Sequence, residues 1–509
     1  ISLLLLLTAS QTFGQLDPLR YHQKRFPSST ITSNVTYGSA PQWIFPYWNE
    51  TLKLDVFRPT NDTLTRRPLL IFAHSGGFLN GSRTVDDMVA ICDSFAQKGY
   101  VTATIDYRKG FNPLDGESCE RAVYRGIQDG KAAVRYFKHN ASTYGIDTNF
   151  IYFGGMSAGG FIALHVAYMD LESERPASTF GGGTVNNLGC LDCSGNTHPV
   201  SSKVRGVLDY WGAMQDTSMI TGGNVPCLVM HGQNDGTVPH DSGHPFGVST
   251  IPVTMGGGPI FARLQNTGVY SEYYTSEGPH HMLDGSDNGT FPASGPNSFW
   301  SDTLLPRTTD FLIKTMKPAA VKLSADTLYA CAGMEKEFFV QLEQPNHRVI
   351  WQYPATGLSY TQTTVPGRLA ISYSIPGEYP ITALVFNEVL CASDTMKYLL
   401  IVEDLVAASI TATYLGGHYY QLTTTANTPV TWIAHGINLG LVDTLLYMAE
   451  IQDNSIITAI ITSPNGACSQ SIQFQLDHDA LSIATTEMIN TQAFPNPFNK
   501  QITVSHLGE

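Results

Sequence analysis

Ser157 stands in Gly155-Met156-Ser157-Ala158-Gly159-Gly160, after the apolar run Phe150-Ile151-Tyr152-Phe153 and before a helical pattern over Ala158–Tyr168. A serine between glycines at a strand-to-helix turn has its hydroxyl lifted clear of the sheet, and the helix N-terminus behind it favours negative charge. Such a hydroxyl becomes a nucleophile only with a base to take its proton and a third group to orient that base. Two candidate bases, His280 and His281, follow Gly278-Pro279 in a loop after the run Tyr270–Thr275. The candidate acid is Asp235, in the polar turn Gly232-Gln233-Asn234-Asp235-Gly236-Thr237-Val238-Pro239 beyond Cys227–His231. Serine, aspartate and histidine in that chain order suit acyl transfer.

Acyl transfer passes through an oxyanion, which backbone N–H groups stabilise by about 3 kcal/mol per donor. Ile71-Phe72-Ala73-His74-Ser75-Gly76-Gly77-Phe78 leaves an apolar run through glycines that let the backbone approach a substrate closely. Gly76, Gly77 and the N–H of Ala158 are the expected donors, with Phe78 and Trp211 as candidate substrate-binding walls.

Elements able to position these residues alternate from about residue 50 to 316. Strand patterns cover Leu52–Phe57, Leu69–Ala73, Val101–Asp106, Phe150–Phe153, Val204–Asp209, Cys227–His231 and Tyr270–Thr275. Helical patterns cover Asp86–Lys98, Ser118–Tyr144, Ala158–Tyr168 and Asn297–Met316. The alternation predicts an α/β unit with a mostly parallel sheet between helices, its site on loops beyond the carboxyl ends of the strands. Glu172–Lys203 and His240–Pro259 interrupt the alternation and are expected to form a lid or rim. After Pro318 the chain turns Thr/Val/Tyr-rich. Residues 319–402 and 403–477 each suit a small immunoglobulin-like β-sandwich.

Together these motifs resemble the carboxylesterase and feruloyl-esterase-like branch of the α/β hydrolases, over about residues 45–316. His74-Ser75-Gly76-Gly77 is similar to that family's His-Gly-Gly-Gly oxyanion loop, with Ser75 for its first glycine. The family's base loop reads Gly-x-x-His or Gly-x-Gly-His, which from Gly278 selects His281, with His280 as the alternative. The resemblance implies a 15–318 catalytic domain, hydrolysis of a carboxylic ester through an acyl-serine, and no metal or organic cofactor. Plant-polysaccharide-linked and polymeric esters are among the candidate substrates. Asp106-Tyr107-Arg108 and Asp129 then read as structural ties, and His231 as packing at a strand end. A serine peptidase of the same fold would use the same triad. A non-catalytic carbohydrate- or surface-binding protein is the third reading.

Composition sets the surroundings. A net charge of −14 with no basic run excludes a nucleic-acid partner by electrostatics. The apolar run Ile1–Leu7, too short to span a bilayer, and the small residues up to Gly14 read as a signal peptide over 1–14, and no longer apolar stretch able to span a bilayer follows. Residues 478–509 contain Ala493-Phe494-Pro495-Asn496-Pro497-Phe498, similar to the start of the sorting domain of the bacterial type IX secretion machinery. Read without that likeness, the segment is a turn leading into a strand. Export accords with disulfides, for which Cys190–Cys193 and Cys331–Cys391 are the expected pairs. Zinc at Cys190 and Cys193 would need four ligands, and His198 alone is near.

Overall fold

A computed structural model of the chain describes residues 16–182, 187–278, 281–404, 408–416, 419–428, 430–434, 436–442, 445–449, 455–475 and 493–495. The expected signal peptide and most of the sorting segment lie outside these residues. One compact unit contains the described residues up to Lys317 together with Asn387–Ala392; a second contains Pro318–Phe386 and the described residues from Ser393 onward.

The first unit is built on eight strands: β1 (Ser29–Pro41), β2 (Asn49–Pro59), β3 (Arg67–Ala73), β4 (Val101–Ile105), β5 (Ile146–Met156), β6 (Gly206–Tyr210), β7 (Cys227–Gly232) and β8 (Ser271–Ser276). They lie in the order β1-β2-β4-β3-β5-β6-β7-β8. β1 and β2 run antiparallel to their neighbours, and the remaining pairs are parallel. Every residue of β3 and β4 is buried, as continuous apolar strands covered on both faces must be. This is the α/β-hydrolase fold. β1 was not legible: Ser-Thr-Ile-Thr-Ser-Asn is polar on an exposed edge.

Helices α1 (Asp86–Ala96), α2 (Gly116–His139), α3 (Ala158–Tyr168), α4 (Gly257–Asn266) and α5 (Leu305–Met316) cover the sheet. One face packs α2 and α3 residues such as Ala133, Phe137 and Ile162 on Ile71, Phe153 and Val229. The other packs α1 and α5 residues such as Ile91, Phe95 and Phe311 on Leu70, Phe72 and Tyr210. α4 falls partly within the segment read as rim, because its Gly-Gly-Pro start hides the helical period. The Asn297–Met316 pattern opens as a π-helical turn, Trp300–Leu304, before Pro306 enters α5. The buried Arg108–Asp129 pair (2.8 Å) ties the loop after β4 to α2.

In the second unit, two four-stranded sheets close over one core that includes Phe338, Ile371, Ile381 and Leu400. Three- and five-stranded sheets follow, the five-stranded one including Ala493–Pro495. Cys190 and Cys193 are joined, but Cys331 pairs with Cys468 and not with the expected Cys391. Cys391 is instead a free thiol buried in the first unit's core beside Val389. Cys331 ends a strand whose register sets it opposite Glu403, and the Cys468 sulfur lies against the Glu403 carbonyl.

Candidate active site

Ser157 sits between β5 and α3 with φ 53° and ψ −116°, a left-handed conformation in which an L-residue is strained. The turn is enforced by close packing. A Cβ on Gly159 would fall 1.9 Å from the Ala73 carbonyl oxygen, and one on Gly155 would fall 2.3 Å from the Gly159 backbone. The Ser157 N–H donates to the Tyr210 carbonyl at 2.9 Å, anchoring the turn to β6.

Asp235 and His281 arrive from the loops after β7 and β8. His281 Nδ1 is 2.6 Å from Asp235 Oδ2, and its Nε2 is 2.7 Å from Ser157 Oγ. With Nδ1 donating to the carboxylate, Nε2 carries the lone pair that can accept the serine proton. His280 lies outside the described residues.

Asp235 accepts Thr237 N–H (2.7 Å) and Val238 N–H (2.9 Å) on Oδ1. Burial works to raise its pKa, but hydrogen bonds from His231 and His281, the charge of His281 and the Val238 N–H outweigh it and hold the carboxyl well below its ordinary range. His231 is the residue that sequence reasoning underrated. Its Nδ1 accepts from Gly257 N–H at 3.0 Å, so Nε2 carries the hydrogen, 3.0 Å from the Val238 carbonyl and 3.3 Å from Asp235 Oδ2. Its place at the end of a strand that opens directly into the acid loop was the available signal.

The expected oxyanion residues separate. Gly77 and Ala158 line a cavity of about 380 Å³ with Ser157, whereas Gly76 does not. Gly76, at φ +115°, forms the turn whose carbonyl accepts Leu79 and Asn80 N–H. Ala158 opens α3, where an N–H has no intrahelical acceptor. His74 braces this loop: it stacks on Tyr107 at 4.3 Å, and its Nδ1 lies 2.5 Å from the Ser75 carbonyl oxygen. Burial lowers its pKa to about 4.

Phe78 lines the cavity, edge-on to Phe161. Trp211 does not: it is fully buried on the opposite face of the sheet among Tyr210 and Met230, so it cannot be a wall. The cavity runs along one stripe of α3, namely Ala158, Phe161 and His165, with Met169 just past its end, and one stripe of α2 that includes Glu120, Val123 and Ile127. The interrupting segments add Glu174, Pro176, Pro245 and Phe246. Glu120 accepts from Ser178 and Gln215, and Glu174 from the Asp170 and Leu171 N–H groups. His165 Nδ1 donates to the Phe161 carbonyl at 2.7 Å, which leaves Nε2 as an acceptor on this largely apolar cavity. Burial lowers the pKa of His165 to about 4, so the ring is neutral.

The BD-FAE family model matches residues 54–221, which hold the oxyanion loop and Ser157 and end before Asp235. Over 252 residues the chain is 27% identical to Esterase LipC of Mycobacterium tuberculosis, covering 46% of this chain and 56% of that relative. Over 121 residues it is 35% identical to Carboxylesterase 3B of Mus musculus, covering 23% of this chain and 21% of that relative. The chain thus spans from about a fifth to about half of these curated relatives. Esterase 2 of Thermogutta terrifontis, solved phosphorylated by paraoxon, aligns at a TM-score of 0.40 and 19% identity, covering 57% of this chain and 95% of that one. The sheet order and the elbow make the first unit an α/β hydrolase in fold. The relatives it resembles are named as esterases.

Proposed function

We propose that the chain is a serine carboxylic ester hydrolase. The observation that carries the reading is the hydrogen-bonded line Asp235–His281–Ser157 at a cavity bordered by Gly77 and Ala158. His281 Nε2 takes the Ser157 proton as Oγ attacks the ester carbonyl, and Asp235 stabilises the resulting imidazolium. The Gly77 and Ala158 N–H groups hold the oxyanion. The tetrahedral species collapses to an acyl-serine, and the alcohol leaves with the proton from His281. Water, deprotonated by the same nitrogen, then releases the acid and restores the serine. The similarity to named esterases supports this choice of substrate class.

The test is turnover of soluble esters against peptide amides, together with labelling by a phosphonate serine probe. Ser157→Ala is expected to lower ester turnover by at least about three orders of magnitude with the fold retained. A folded variant with near-normal turnover rejects the assignment, and failure of the wild type to label favours a binding protein. Export is the second part of the proposal, supported by the Ile1–Leu7 run and two disulfides. With it stand delivery by type IX machinery and action on polymer-linked esters. Fractionation of producing cells with and without that machinery tests it, and retention of the protein inside both rejects it.

A further inference from the structure

Three residues beyond His281, the loop Asp284-Gly285-Ser286-Asp287-Asn288-Gly289 lies against the start of α1. The Asp87 N–H donates to the Gly289 carbonyl at 3.0 Å, and Asp86 accepts the Phe291 N–H at 3.0 Å. A Cβ on Gly289 would fall 2.9 Å from Asp87 Oδ1. Asp287 and Thr290 exchange backbone hydrogen bonds, and Asn297 holds the Leu283 carbonyl. The loop is therefore fixed in place over the Asp87 carboxyl.

Asp87 and Asp284 are both fully buried. Asp284 Oδ1 accepts from the Ser286 N–H and hydroxyl. The other three carboxyl oxygens, Asp87 Oδ1 and Oδ2 and Asp284 Oδ2, are closed off from solvent and meet no hydrogen-bond donor among the described residues. The Asp284 and Asp86 charges act unfavourably on Asp87, while Ser286 and then the His281 charge favour the Asp284 carboxylate. The nearby Asp87 and Met88 N–H groups act on the Asp87 carboxyl without meeting hydrogen-bond geometry. An acid in the first turn of a helix ordinarily caps N–H groups or faces water. This one does neither, and a buried anion of this kind needs a counter-charge.

We propose that Asp87 and Asp284 are the anionic ligands of a bound divalent cation, which ties the loop carrying His281 to the N-terminus of α1. The donors are hard oxygens: Asp87 Oδ1 and Oδ2 and Asp284 Oδ2, all closed off from solvent. Ca²⁺ accepts six to eight oxygens in irregular geometry, whereas Mg²⁺ demands a regular octahedron and keeps several waters. A site closed to solvent on an irregular loop suits Ca²⁺. With only two carboxylates, it differs from groups of three or more His, Cys, Asp or Glu side chains placed to hold a metal ion, of which there are none among the described residues. The ion's part is structural: it neutralises a buried pair and holds a loop, and no step of the ester chemistry passes through it.

The test uses the full chain, stripped with chelator and titrated with CaCl₂, with Tm and bound Ca²⁺ as readouts. Ca²⁺ at about a hundredfold over Kd is expected to raise Tm by about 5 °C and to suppress proteolytic cleavage within 282–297. Asp87→Asn and Asp284→Asn are each expected to bind one Ca²⁺ fewer and to lose the shift. Should either variant fail to fold, protection of the 282–297 loop in the wild type still locates the ion. Equal Tm in CaCl₂ and chelator, with Asp87→Asn as stable as wild type, would mean that the pair shares a proton and overturns the proposal. So would a shift that both variants keep, which puts the ion elsewhere. Because none of these readouts needs turnover, failure here is distinct from failure of the esterase reading.

Discussion

Asp235→Asn is the sharpest perturbation, because the structure dictates which way the amide must face. Oδ1 accepts the Thr237 and Val238 N–H groups, so the asparagine must put its carbonyl there. Its NH₂ then occupies the Oδ2 position, 2.6 Å from His281 Nδ1. A donor at that point forces Nδ1 to become the acceptor and moves the ring hydrogen to Nε2, which can no longer take the Ser157 proton. The expected loss in turnover is about three to four orders of magnitude, or roughly 4–5.5 kcal/mol of barrier. The fold should lose little. Both backbone hydrogen bonds survive, and His231 keeps the Val238 carbonyl at 3.0 Å, so about 1 kcal/mol is at stake. The Asp235 carboxyl is held below its ordinary range, so its electrostatic contribution is present above about pH 4 and lost as pH falls through the folded pKa. Turnover of a chromogenic short-chain ester at neutral pH, with near-UV circular dichroism and Tm, makes the measurement. A folded Asp235→Asn protein within tenfold of wild type would refute the tautomer argument and remove Asp235 from the site.

His165 lies eight residues along α3 from Ser157, about 12 Å at the helical rise, and offers an acceptor there. The wild type should prefer an ω-hydroxyacyl ester that reaches this depth over its methyl-ended analogue by about 3- to 10-fold; His165→Leu should abolish that ratio while acetyl-ester turnover stays unchanged. Truncation after Pro318 removes Val389 and Cys391 from the first unit's core, together with the Val389 carbonyl bound by Tyr21 and the Asn387 amide bound to the Met316 carbonyl. Calorimetry should show a loss of about 2–4 kcal/mol with ester turnover retained at low temperature, and an unchanged Tm would refute it. Burial raises Asp209 to about 7, so its stability contribution is full below the unfolded value near 4 and declines as pH rises towards 7. Asp209→Asn should therefore raise Tm more at pH 8 than at pH 5; an equal effect at both would refute the burial argument.

What was legible in the sequence was whatever local backbone geometry demands. Ser157 needs glycines on both sides because Ala73 and Gly159 press on the turn, and that demand is written within a few residues. Asp235 needs a tight turn whose own N–H groups feed Oδ1, and Asp-Gly-Thr-Val provides it. The misreadings concern partners brought together from far along the chain. Trp211 follows a strand that ends at the site, but its side chain points to the other face of the sheet, a choice of one position in a twofold alternation. Cys331 and Cys468 stand on strands of different sheets and meet beside Glu403, a proximity that spacing along the chain does not encode. Asp87 looks like an ordinary first-turn acid until the 284–290 loop closes over it.

Donors, more than burial, sort the buried aspartates into their roles. Asp235, Asp209 and Asp87 are all shielded from water, yet their carboxyls lie at different points on the same scale. Asp235 receives two backbone N–H groups and two imidazoles, and is held below its usual range. Asp209 receives one N–H, from Gly212, and rises to about 7. Asp87 receives none and rises to about 8. A carboxylate that must stay ionised beside a base at neutral pH needs the first environment, since each donor stabilises the charged form directly. His231 belongs to that environment although it is not adjacent to the serine: its Nε2–H supplies a fourth donor and helps keep Oδ2 anionic for His281. The acid loop is thus built around one anion, and the two aspartates left without such donors need either a proton or, for Asp87 with Asp284, a cation.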